Sequence, residues 1–167
     1  MARADAETGG KKLQLTITTP RGVKFQEEAD MIVMRTVDGD LGVLPGHEPL
    51  MTALGSGILR IVNNGGEKRL AVFEGTASVD ADSVQILTTI AQSPDEIDLE
   101  RAEEDRREAE AALQDAHEED MTLRLRIMQM RALIRINVHH ADSPDDVYVE
   151  DEENGQGNTG NTPEAND

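Results

Sequence analysis

The chain has no cysteine and no tryptophan, and Phe25, Phe73 and Tyr148 are its only aromatic side chains. Without thiols there is no disulfide, no thiolate nucleophile and no thiolate metal site. With three aromatics, any core must be aliphatic. No apolar run approaches the roughly 18 residues of a membrane-spanning helix. No apolar leader opens the sequence, so an intracellular, reducing setting is expected, with membrane contact only through other proteins. Bases are scarce too: 16 Lys and Arg stand against 34 Asp and Glu, a net charge of -18. Such a charge repels phosphate backbones and anionic lipid, which disfavours nucleic-acid binding and direct membrane adsorption. It is also uneven, since the 27 residues from Ala141 to Asp167 hold nine acids and no Lys or Arg.

What is present divides by period. Residues 1–11 are small and polar, and are expected to be disordered. From Leu13 to Ile17 apolar and polar residues alternate. Further β-type segments follow at Ala29 to Val37, Gly57 to Val62, Arg69 to Phe73, Ala77 to Val79 and Ser83 to Ile90. Turn residues separate them at Pro20 to Gly22, Asp38-Gly39, Leu44 to Gly46, Gly55 to Gly57, Asn63 to Gly66 and Asp80 to Asp82. Many short strands with no helical period between them predict an antiparallel sandwich or flattened barrel over residues 12–92. Between Asp-Gly and Pro-Gly, Leu41, Val43 and Leu44 form a short strand that needs a core.

At Ser93-Pro94 the period changes to that of a helix, and residues 93–138 read as an antiparallel helical hairpin. Pro94, Asp95, Glu96 and Asp98 suit a first turn, followed by an apolar stripe of Leu99, Ala102, Ala109, Ala112, Leu113 and Ala116. The second helix, from about Glu119 to Val138, carries Leu123, Ile127, Met130, Ile134 and Val138 on one side. It is apolar at Leu125, Met128, Leu133 and Ile136 as well, more than one alanine-rich helix can cover. Residues 139–167 read as a disordered acidic tail.

Candidate chemistry is sparse. His47, in Pro-Gly-His-Glu-Pro, has no nucleophile beside it and reads as a loop histidine holding local backbone, so a hydrolase using it ranks last. His139 and His140, adjacent in sequence, point in different directions, which makes a cation site with Asp142, Asp145 and Asp146 a poor reading. Gly55-Ser56-Gly57 lacks the Gly-Lys-Ser/Thr ending of a phosphate loop and reads as a turn. Arg124, Arg131 and Arg135 fall at i, i+7 and i+11, a basic stripe whose plain reading is ion pairing to Glu103, Asp105 or Glu110 across the hairpin.

Three segments together resemble the epsilon subunit of the bacterial rotary ATP synthase: Thr19-Pro20-Arg21-Gly22-Val23-Lys24-Phe25, the run from Asp38 to Leu50, and Ile97-Asp98-Leu99-Glu100-Arg101-Ala102. The resemblance covers roughly residues 12 to 138. It implies a non-catalytic rotor-stalk subunit. The sandwich would grip the gamma subunit and the c-subunit ring, coupling proton-driven rotation to ATP synthesis. The hairpin would fold down, or extend to inhibit hydrolysis at the alpha/beta catalytic hexamer. A peripheral place on the cytoplasmic face of the bacterial plasma membrane follows. Ile97 to Ala102 also matches the motif with which some members bind a regulatory ATP, and Arg131-Ala132-Leu133-Ile134-Arg135-Ile136 matches the end of their second helix. By this resemblance Asp98, Arg101, Arg131 and Arg135 are the nucleotide ligands, with no catalytic residue and no metal implied.

The chain departs from that pattern at three places. Gln92 stands where ATP-binding members carry an acid, and Glu108 where they carry an arginine. Glu74-Gly75-Thr76-Ala77-Ser78 replaces the family's Gly-Gly-aromatic-x-Glu. The rival reading from another class is a free-standing acidic adaptor, or chaperone-like module, whose hairpin captures client helices.

Overall fold

The computed structural model describes residues 10–141; the expected disorder of residues 1–9 and 142–167 lies outside the described residues, whereas His139 and His140, expected in the tail, are helical because the last turn of the second helix continues through them. Ten strands come first: β1 Leu13–Thr19, β2 Gly22–Ala29, β3 Met31–Thr36, β4 Gly39–Val43, β5 Leu50–Leu54, β6 Gly57–Asn63, β7 Gly66–Phe73, β8 Gly75–Val79, β9 Ser83–Leu87 and β10 Ile90–Gln92. A 3-10 turn over Pro94–Glu96 leads to α1, Leu99–Asp115, and α2, Glu119–His140.

The strands form one folded sheet in the order β10-β7-β6-β3-β5-β8-β9-β1-β2, with β4 on β3. The fold line is thin, since β3 and β5 share the single pair Thr36 and Leu54. On either side of it lie two layers whose inner faces meet. Leu13, Leu15 and Ile17 from β1, Ile32 and Met34 from β3, Leu59 and Ile61 from β6, and Val84 and Ile86 from β9 are buried in the shared core. Each contributes alternate residues, as a pleated strand with one wet face must. The core is aliphatic, with Phe25 packed at its margin.

Turn chemistry sets the registers. Asn64 (φ 51) and Gly65 (φ 78) make the two-residue turn between β6 and β7, where both central positions need positive φ. Val43 is buried and Leu41 partly so, but Leu44 is 57% exposed, because β4 ends at Val43 and the chain turns outward. The sheet is not wholly antiparallel: β1 pairs β9 in parallel, Leu15 opposite Val84. Two residues far apart in the chain meet there, and no local pattern encodes the direction of such a pairing. Strands β2 and β5 escape a reading by alternation, since β2 carries Lys24, Gln26, Glu27 and Glu28, and β5 follows a proline loop.

Helix α1 begins at Leu99, later than Pro94. Ser93 and Glu96 form a capping box on the 3-10 turn, and the Asp98 carboxylate then accepts from the Arg101 N–H at 3.1 Å, capping α1 itself. Ala102 and Ala109 on α1 and Ala132 on α2 are buried, small residues that allow the two helices to pack closely. In α2, Ile134 and Val138 are buried, whereas Leu123 and Met130, expected on the same stripe, are exposed. The sandwich is the reason: it covers only the C-terminal half of α2.

Candidate functional site

Two surfaces of the sandwich differ in kind. On the outer face of the layer containing β7, the hairpin is docked. Leu70, Ala71, Val72 and Phe73 are all buried, because Leu70 and Val72 face the core while Ala71 and Phe73 face α2. A strand covered on both sides reads as an unbroken apolar run. Ile134 and Val138 of α2 pack on Ala71 and Phe73, with Ile97 of the linker and half-buried Ile58 beside them.

Polar contacts surround this small cluster. The Arg135 Nε–H donates to Gln92 Oε1 at 2.9 Å, and its guanidinium lies 4.6 Å from the centre of the Phe73 ring. Arg131 pairs with Glu74 at 3.0 Å and sits 5.8 Å from the same ring centre. Arg131 Nε is buried without a hydrogen-bond partner. A cation over a partly desolvated ring is worth about 1 kcal/mol. The Glu74 pair adds at most a few tenths, since it is largely solvated. Burial lowers the Arg135 pKa from its ordinary value; Asp105 on α1 opposes that shift and the Arg131 charge adds to it. An arginine nonetheless stays protonated. Glu74 holds φ 59, a left-handed conformation that costs a residue with a side chain about 1 kcal/mol.

The basic stripe thus has partners other than the α1 acids. Arg131 and Arg135 reach the sandwich, Arg124 is exposed, and Glu110 accepts from Arg106 and Gln129. Asp98 and Arg101 lie at the N-terminus of α1, Asp98 spent as a cap and Arg101 exposed. A polyphosphate reaching Arg131 and Arg135 would meet the Glu74 carboxylate and the Gln92 amide there, and would bring its charge close to Glu74 and Asp105.

His47 holds local backbone, its Nδ1 lying 2.6 Å from the Glu48 carbonyl oxygen. The His139 and His140 rings stand at 85° to each other, and no cluster able to hold a metal occurs among the described residues.

The second surface is the outer face of the opposite layer. Cross-strand registers align Ala53, Thr76, Leu87, Thr18 and Val23 in one row, and Met51, Ser78, Gln85, Thr16 and Gln26 in the next. None is charged, in a chain where 30% of residues are. Met51 is 77% exposed, Val23 64% and Leu87 58%. Alternation alone hides this row, because its members come from five strands. An uncharged, partly apolar sheet face of this breadth has the chemistry of a protein interface.

Residues 12–94 match the family model for the beta-sandwich domain of the ATP synthase delta/epsilon chain. Over 126 residues the chain is 40% identical to the ATP synthase epsilon chain of Herpetosiphon aurantiacus, covering 75% of this chain and 93% of that one. It is 34% identical over 128 residues to the epsilon chain of Bacillus pumilus, covering 77% and 97%. Among solved structures it is similar to a chain of the Euglena gracilis mitochondrial ATP synthase OSCP/F1/c-ring complex, with TM-score 0.64, 28% identity, and coverage of 84% of this chain and 89% of that one. With its sandwich matched to the family model and its length matched to these epsilon chains, the chain belongs to the ATP synthase epsilon chain family.

Proposed function

We propose that the chain acts without chemistry of its own, as the central-stalk subunit that joins the gamma subunit to the c-subunit ring of a proton-translocating ATP synthase. The uncharged face of β5, β8, β9, β1 and β2 carries this reading. Burying its two uncharged rows desolvates no charge, Glu28 opposite Gln14 lying at their edge, whereas the remaining surface of a chain at -18 would resist burial. That face is the gamma-binding surface. The enzyme places the chain at the membrane as a peripheral part, on the cytoplasmic side of the bacterial plasma membrane, and no described helix is long and apolar enough to cross it.

The hairpin is a brake on hydrolysis. Docked, α2 leaves Leu123, Met130 and Leu133 exposed. Extended beside gamma, it would bury that surface and carry Arg131 and Arg135 toward the catalytic alpha/beta hexamer. A regulatory ATP at Asp98, Arg101, Arg131 and Arg135 would share the two α2 arginines with Glu74 and Gln92.

The test is an enzyme assembled with the chain ended at Ser93. It should retain gamma and the c ring, synthesise ATP, and hydrolyse ATP several-fold faster than the intact complex. Unchanged hydrolysis would remove the brake; failure of the folded sandwich to copurify with gamma would remove the docking assignment. A free-standing adaptor would instead recover no ATP synthase subunit in a pull-down from native membranes.

A further inference from the structure

We propose that Phe73, Glu74 and Gln92 form a latch that holds the hairpin docked without any nucleotide, by engaging both α2 arginines through one ring, one carboxylate and one amide. Three observations converge on it. Phe73 offers one ring to both Arg131 and Arg135, at 5.8 and 4.6 Å. Glu74 stands in a left-handed conformation, where a glycine would be free of strain, and its carboxylate meets Arg131 at 3.0 Å. Gln92 accepts from Arg135 with a neutral oxygen, so the contact adds no second carboxylate to the acidic surface around Glu74.

The physical division is clear. The ring face compensates the buried, unpartnered Nε of Arg131 and the desolvated guanidinium of Arg135. Glu74 relieves the repulsion between two arginines on one ring. A carboxylate carried by the chain itself is present at all times, so the docked state does not follow the nucleotide level. Ionic strength and competing contacts on the rotor set it instead. The latch is a property of the isolated chain; its consequence for hydrolysis rests on the reading above.

Because the chain lacks cysteine, spin labels at Asp82→Cys and Gln114→Cys in the full chain report the distance between sandwich and hairpin directly. Without nucleotide the unmodified latch should give one narrow distance distribution, and MgATP at millimolar level should leave it unchanged. Phe73→Leu with Glu74→Gln should raise the ratio of undocked to docked chains roughly tenfold, the product of a lost cation-ring contact and a lost ion pair. Glu74→Gly separates latch from fold. It should raise the undocked ratio by up to about twofold while the sandwich melts no earlier, since glycine is unstrained at that φ. A docked distance that appears only with MgATP, or an unchanged distribution in the Phe73→Leu, Glu74→Gln chain, overturns the latch. Copurification with gamma tests the family role separately and leaves these distances untouched.

Discussion

Arg135 and Phe73 face each other across the junction of hairpin and sandwich, the guanidinium carbon 4.6 Å from the ring centre, while the Arg135 Nε–H is spent on Gln92. The ring belongs to β7 and is almost wholly buried beneath α2. One residue of the sheet therefore serves both the apolar seat of the hairpin and its cation contact. The contact suits a planar guanidinium, which can lie over the ring and still direct one N–H to Gln92.

Arg135→Lys should accordingly loosen the hairpin. Lysine keeps the charge but loses the planar stacking on Phe73 and the fixed fork that reaches Gln92. A loss of about 1 kcal/mol is expected, read as a roughly fivefold fall in amide protection over the C-terminal half of α2. Protection equal to that of the arginine chain would mean that charge alone suffices.

Gly75 is expected to tolerate no side chain. Its φ is +134, and a Cβ there would lie 2.1 Å from the Leu87 carbonyl oxygen, a backbone atom that cannot swing aside. Gly75→Ala should cost about 3 kcal/mol or more and separate β8 from the end of β9. Thermal unfolding of the chain measures it, and a shift within error would show that β9 moves freely.

A charge placed in the uncharged row should break assembly without harming the fold. Leu87 is 58% exposed, so Leu87→Glu should leave the melting temperature nearly unchanged. In the complex the same carboxylate would be buried unpaired, weakening gamma binding at least tenfold. Titration of purified gamma with both chains reads the difference, and equal affinities would move the interface elsewhere.

Acid should weaken the linker at a defined point. The Lys24 ammonium and the Ser93 N–H hold the Glu96 carboxyl below its ordinary value of 4.5. Glu67, beside Arg60, and Asp30, which accepts from the Asn64 N–H, are lowered in the same direction. A carboxyl lowered on folding contributes stability that is full above its unfolded pKa and is lost as pH falls through its folded pKa. Stability should therefore hold from neutral pH down to about 5 and fall below about 4.5. Glu96→Gln should be less stable at neutral pH and lose less on acidification, as read from urea unfolding at the two extremes. Parallel curves would show that the Lys24 contact carries no linkage.

Lys24 illustrates how such a contact escapes a sequence reading. In the register of β1 and β2, Ile17 faces Phe25 and Thr18 faces Val23, so Lys24 is the extra residue of a bulge. Its side chain reaches Glu96, 72 residues away, and fastens an edge strand to the linker. Neither residue stands out in its own segment.

The switch from strand to helix near Ser93 and the aliphatic core were legible in the amino-acid sequence, because period, turn chemistry and composition are local properties. The capping role of Asp98 belongs to the same kind, a single side chain meeting an N–H three residues on. The tertiary structure alone decided that β1 runs parallel to β9, that β7 is covered on both faces, and that uncharged residues of five strands share one surface. It decided the partners of the arginines too: Glu74 is 57 residues from Arg131, and Gln92 is 43 from Arg135. Helical spacing set those cations on one stripe, but which stripe is wetted depends on where the sandwich lies, and that position is a sum over contacts distant along the chain.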